Sequence, residues 1–203
     1  MTKFWVETLV VLAISFPLSA QPSSAKSPSE RLQPLVRASA ERIDLAREVA
    51  LAKWDSGAAV EDLVREQQVI QAVVKAAPQR GLDESFVANF FRGQIEANKT
   101  VQYVLLADWH RVGRAPVHSP INLGATVRPQ LDALEREILD NLKNVSDIRE
   151  SPKCQAVLAT ATGVYLKKQK DRKTERTNWT QLPSTDRWLP FVRASSEIIS
   201  SSG

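Results

Sequence analysis

The sequence of 203 residues has one cysteine, one methionine, two histidines and seven glycines. Each scarcity removes a class of chemistry. A lone thiol, Cys154, cannot close a disulfide within the chain, even in an oxidising compartment. It reads as a partly buried bystander. His110 and His118 stand without cysteine or carboxylate at zinc-ligand spacing, so no metal site is expected. The few glycines form no phosphate-cradling loop, so no cofactor is expected either. Aromatics make up 6% of the chain and are not interleaved with basic residues in the way that stacks bases. The net charge is only +4, with both signs interspersed, which gives no reason to expect nucleic acid. After the first 25 residues no stretch is long and apolar enough to cross a bilayer.

The N-terminus carries its own pattern. Lys3 is followed by an apolar run over 9–18 and then by small residues (Ser19, Ala20, Ser23, Ser24, Ala25). That is the pattern of a secretory signal peptide over 1–25, with cleavage after Ala20 or Ala25. An exported protein, periplasmic or secreted, with no membrane attachment in its mature form is expected. About 180 residues remain, enough for one domain with a real core. We place that domain at 26–170 and a C-terminal tail at 171–203. The tail mixes Trp179, Trp188, Leu189 and Phe191 with Pro and Ser and has no clear period.

What is abundant is Ala, Leu, Glu, Arg and Gln, with little period-2 alternation. The fold class is therefore all-α, a helical bundle of about five to six helices. A start signal stands at Ser27-Pro28, and a long helix is expected over about 34–54, stopped near Ser56-Gly57. A second helix runs from near Asp62 to near Ala77-Pro78. A third starts after Asp83 and reaches about His110. Two prolines mark 113–122 as a loop. Further helices cover about 125–144 and, from Ser151-Pro152, the stretch to about Lys170.

Several polar residues fall on faces that should be apolar. The first helix has a stripe of Leu35, Ala38, Ser39, Leu45, Ala46, Val49 and Ala52. Arg42 and Lys53 fall on it, 11 residues apart, hence on one face about three turns and roughly 16 Å apart. Cations aimed into a bundle are costly unless paired. One alone is most simply a structural ion pair or a snorkelling side chain; two in register favour an anionic ligand. The third helix repeats the pattern. Phe91, Ile95, Asn98, Gln102 and Leu105 share a stripe, with two amides that need hydrogen-bond partners. These amides form either an interhelical pair or a site for a polar ligand. At the start of the second helix, Asp62 and Glu66 suit the helix dipole, whereas Arg65 opposes it unless an anion lies nearby. The set holds cations, amides and carboxylates but neither nucleophile nor general-base histidine. It fits a small dianion and a reaction the substrate can perform alone once held in shape.

These residues resemble the all-α chorismate mutases, the AroQ class, and in particular their secreted (gamma) subclass. The resemblance rests on Glu41-Arg42-Ile43, Ala52-Lys53-Trp54, the run from Asp62 to Gln68, and the run from Gln94 to Gln102. It is clear over 35–109 and weaker to about 168. It implies an isomerase that converts chorismate to prephenate by an intramolecular Claisen rearrangement, without a cofactor. By position, Arg42 and Arg65 would bind substrate carboxylates or shape the pocket around them. Lys53 would contact a carboxylate and the ether oxygen, and Gln102 would donate to that oxygen. Glu66 would bind the ring hydroxyl, with Asn98 and Asp62 in support. Arg136 lies near the place of a further arginine, although an ungapped register puts Glu137 there. The resemblance also implies a homodimer with each site within one chain. Secreted relatives often have a disulfide at a cysteine like Cys154, whose partner is missing here. Isochorismate pyruvate lyase shares the fold and much of the site, and a non-catalytic helical binding module could keep it; both stay open at this level. Because Gln102 is neutral at any pH, activity is expected to vary little from about pH 5 to 8.

Overall fold

The structure, a computed structural model, describes residues 25–175. Among them are seven α-helices: α1 (Pro28–Asp44), α2 (Ala46–Ser56), α3 (Leu63–Ala76), α4 (Glu84–Val112), α5 (Arg128–Asn144), α6 (Ser146–Arg149) and α7 (Cys154–Glu175). A 3-10 turn, Pro78–Arg80, precedes α4, and a π turn, Leu123–Val127, leads into α5. No strand occurs among the described residues.

Local sequence accounts for most boundaries. Ser27 and Glu30 form a reciprocal capping box, with Ser27 Oγ accepting from the Glu30 N–H and the Glu30 carboxylate from the Ser27 N–H. This satisfies two otherwise unpaired donors, so α1 starts at once and carries Pro34 inside it rather than beginning there. The helix changes at Leu45, yet the Leu45 N–H still reaches Glu41 O and the Val49 N–H reaches Leu45 O. Helical hydrogen bonding thus passes through the break, and Arg42 and Lys53 stay in register. Gly57, at φ 67°, takes the left-handed conformation that ends α2. Asp62 caps α3 and Asp83 caps α4, each through its side-chain oxygen.

The expected loop over 113–122 is a loop, and Gly113 at φ 77° opens it. His118 ties this loop back to the end of α2 through Asp55, 3.0 Å away. The sequence did not foretell the π turn, the single turn of α6, or α7 beginning at Cys154 and continuing to Glu175. The tail aromatics from Trp179 onward lie outside the described residues, as do residues 1–24 of the expected signal peptide, 1–25.

The helices pack α1 against α5 and α7, and α2 and α3 against α4. A large apolar cluster joins Leu35 and Ala38 of α1, Phe86, Phe90 and Phe91 of α4, Ile138, Leu139 and Leu142 of α5, and Leu158 and Ala161 of α7. Each buried Leu, Ile or Phe in it contributes about 1.5–3 kcal/mol by burial. A smaller cluster around Ala50, Leu51 and Trp109 lies further along α2 and α4, with Trp54, Leu105 and Leu106 against it. Trp54 and Trp109 meet edge to face at 6.1 Å. Cys154 is buried and unpaired, and burial pushes its thiol above the usual range.

Candidate active site

Between the two apolar clusters the same helix faces turn polar. Along α1 and α2, Ala38 packs in the large cluster and Ala50 in the small one, while Arg42 and Lys53 line a pocket. Along α4, Phe91 belongs to the large cluster and Trp109 to the small one; Ile95, Asn98, Lys99 and Gln102 line the same pocket. The start of α3 adds Asp62, Arg65, Glu66 and Val69, and the far wall is Leu123, Val127, Arg128, Leu131 and Glu135. The space, about 690 Å³ when the open solvent at its mouth is counted, is a cleft between helices, the kind of place where bundles bind small ligands. Polar side chains here sit where the helices would otherwise bury Leu or Val, because two hydrophobic clusters fix the helices on either side.

Arg42 is 4% exposed and Lys53 9%, so neither snorkels to the surface. The Arg42 guanidinium reaches toward Glu135, with Nη2 3.6 Å from Oε1. Its Nη1 makes only a long bond, 3.5 Å, to the Gln94 carbonyl, and its Nε has no hydrogen-bond partner among the described residues. A buried guanidinium with five donors is thus left under-satisfied beside a cavity. Lys53 Nζ donates to the Val60 carbonyl. Burial pushes Lys53 below the ordinary lysine value, with Asp62 and Glu66 opposing.

The two amides form a chain. Asn98 Nδ2 donates to the Arg42 carbonyl at 3.1 Å, and Gln102 Nε2 donates to Asn98 Oδ1 at 2.7 Å. The first bond decides which way the Asn98 amide faces, and that decides which end of Gln102 it accepts. One N–H of the Gln102 amide is used in this way, and a second remains. Arg65 does not stand against the α3 dipole alone: its Nη2 pairs with Asp132 of α5 at 2.7 Å. Glu66 pairs with Lys99 at 3.2 Å and also accepts from the Asp62 N–H.

Seven of the eight residues expected from the sequence therefore line one pocket: Arg42, Lys53, Asp62, Arg65, Glu66, Asn98 and Gln102. Arg136 does not. It is exposed, because it follows Glu135 and so points about 100° around the helix from it. The late arginine in the pocket is Arg128, at the first turn of α5, with Nη2 3.9 Å from the Asp62 carboxylate. Glu135 and Lys99 were also missed. A signal existed for both. Leu131, Glu135, Ile138 and Leu142 repeat at spacings of 4, 3 and 4, and Ile95, Lys99 and Gln102 at 4 and 3. These are charges on core-facing stripes of the kind that marked Arg42.

Comparison with known proteins agrees with this geometry. The family model described as chorismate mutase type II matches residues 33–103. A secreted chorismate mutase of Mycolicibacterium smegmatis is 34% identical over 140 residues, 69% of this chain and 77% of that protein. The chain belongs to the chorismate mutase type II family. A secreted chorismate mutase of Mycobacterium tuberculosis is 28% identical over 152 residues, 75% of either chain. Among solved structures, the chorismate mutase of Burkholderia phymatum superposes with a TM-score of 0.71 at 34% identity, covering 87% of this chain and 97% of its own. The all-α architecture expected for a chorismate mutase is the architecture observed, and the matched segment carries Arg42, Lys53, Asp62, Arg65, Glu66, Asn98 and Gln102.

Proposed function

We propose that this pocket converts chorismate to prephenate, with Lys53, Gln102 and Arg42 as its catalytic residues. The observation that carries the reading is the charge balance of the lining. Five cations (Arg42, Lys53, Arg65, Lys99, Arg128) face three carboxylates (Asp62, Glu66, Glu135), a net of two positive charges around one cleft. Chorismate is a dianion. In the rearrangement one C–O bond breaks and one C–C bond forms within the molecule, and no proton need move. What the protein can supply is a compact pose and fixed donors where charge develops.

In this reading Arg42, Arg65 and Arg128 hold the substrate carboxylates, Arg128 taking the part that the sequence expectation gave Arg136. Lys53 and the remaining N–H of Gln102 donate to the ether oxygen as its bond breaks. Glu66, fixed by Lys99, accepts from the ring hydroxyl, with Asp62 and Asn98 in support. Donors held by helix packing need no reorganisation in the transition state, and each contributes about 10²–10³ in rate. The relatives named as secreted support export of the chain; the gamma subclass, a periplasmic destination and a homodimer with each site inside one chain belong to the same proposal. No helix among the described residues is long and apolar enough to span a membrane.

The test is turnover. The folded chain should deplete chorismate and yield prephenate, and well-folded protein without turnover would overturn the reading. Run beside it, isochorismate should give no pyruvate; preferred release of pyruvate would make the chain a lyase.

A further inference from the structure

Glu135 sits where a bound anion should not tolerate it. It lies on the buried stripe of α5, 7% exposed, and lines the pocket beside Arg42. Its Oε1 has no hydrogen-bond partner among the described residues, and 3.6 Å to Arg42 is an ion-pair distance rather than a hydrogen bond. The charged groups around it come from three helices: Arg42 of α1, Arg65 of α3, and Asp132 of its own helix. Arg128, two turns earlier on α5, faces the same pocket. Arg65 is already held by Asp132 at 2.7 Å. Arg42 is thus the cation that balances Glu135, and it is also the cation proposed to take a substrate carboxylate.

One guanidinium cannot serve both anions at full charge in a buried site. Glu135 is buried apart from its place in the pocket wall, so with substrate filling that space little water is left to solvate its charge. An arginine does not give up its proton in a protein. The charge must therefore be relieved on the carboxylate side. We infer that Glu135 is a further substrate-binding residue: as a carboxylate it holds Arg42 in place in the empty site, and on substrate binding it takes one proton from solvent and donates that O–H to the bound carboxylate. Burial already pushes Glu135 above the usual carboxylate range, and Asp132 adds to the shift while Arg42 opposes it.

The inference rests on the proposed chorismate site and carries its own signature. Below the pKa of Glu135 in the empty site the acid is already protonated, and binding needs no proton. Above it, each substrate bound must draw a proton from solvent, so affinity falls as pH rises. Steady-state kinetics of the full chain with chorismate should show KM rising at least about fivefold from pH 6 to 8.5, with kcat changing less than about twofold. In E135Q, which keeps the shape and a donor but cannot titrate, KM should stay within about twofold over the same range. Equal pH slopes in the two proteins, or a flat KM in the native chain, would overturn the inference. Should E135Q not fold, calorimetry of prephenate binding to the native chain at pH 8 in phosphate and in Tris gives a second reading. A binding heat that depends on buffer reports proton uptake; identical heats overturn it. Lys53→Ala separates the two levels: full activity in that variant sinks the site itself, whereas lost activity with a pH-dependent E135Q sinks only the role of Glu135.

Discussion

Gln102 is held by Asn98 one helical turn earlier, through a 2.7 Å bond from its amide nitrogen to the Asn98 side-chain oxygen, and Asn98 is in turn fixed by the Arg42 carbonyl. The Gln102 amide is thus oriented before any substrate arrives. Asn98→Ala removes the acceptor but no donor to the substrate ether. Its kcat should fall by about tenfold or more, with KM changing less, and Gln102→Ala should lose about 100-fold. Steady-state kinetics on both variants checks the order; a larger loss in Asn98→Ala than in Gln102→Ala would contradict it.

Replacing Gln102 by Glu tests the donor role by protonation. A carboxyl donates only while protonated, and burial between Asn98 and the pocket favours that form. Gln102→Glu should therefore be most active at low pH and lose kcat as pH rises through the raised pKa of the new carboxyl. The native amide has no such titration, so its kcat should stay level from about pH 5 to 8. A pH-independent kcat in the Glu variant would remove Gln102 from the reacting atoms.

Lys53 makes the complementary prediction on the alkaline side. Its cation is the reactive form, and burial lowers its pKa below the 10.5 of an ordinary lysine. Activity should fall as pH rises through that depressed value, earlier than free lysine would titrate. Lys53→Ala should cost at least about 100-fold in kcat/KM at neutral pH. A pH–rate profile carried to the alkaline limit of stability measures both.

Arg128 and Arg136 are eight residues apart on α5 and should behave as opposites. Arg128→Ala removes a cation from the pocket and should raise KM for chorismate by about tenfold or more. Arg136→Ala changes an exposed side chain and should leave both constants within about twofold. Parallel kinetics of the two variants decides which arginine belongs to the site.

Stability is set elsewhere. Ile138 is fully buried in the large cluster and does not line the pocket. Ile138→Ala should cost about 2–5 kcal/mol, read as a shift of the urea midpoint.

Much of this was legible from periodicity and caps. Arg42, Lys53, Asn98 and Gln102 stood out because a 3.6-residue period makes a misplaced polar group visible without any structure. Glu135 and Lys99 obey the same rule and were passed over. Glu135 follows a polar, Pro-containing start of the helix, and Lys99 adjoins the more conspicuous Asn98. Arg128 obeys the same rule, three residues before Leu131 on the stripe that carries Glu135; the expectation of a late arginine came instead from the family resemblance, which pointed to Arg136. The partners of Arg65 and Glu66 were out of reach, since Asp132 and Lys99 become neighbours only when α5 and α4 close on α3. The 3.6-residue period tells which residues face inward, but not which inward faces meet.

The pocket has two walls of different origin in the chain. The segment that matches the family, 33–103, supplies Arg42, Lys53, Arg65, Lys99, the two amides and two carboxylates, whereas the wall from Leu123 to Glu135, with Arg128 and the buried Glu135, lies wholly beyond it. A pattern drawn from the first segment is blind to Arg128 and Glu135, the cation and the buried acid of the second. If Glu135 takes up a proton as inferred, substitutions within a single turn of α5 would retune how tightly the site grips its ligand at a given acidity, while leaving the segment 33–103 untouched.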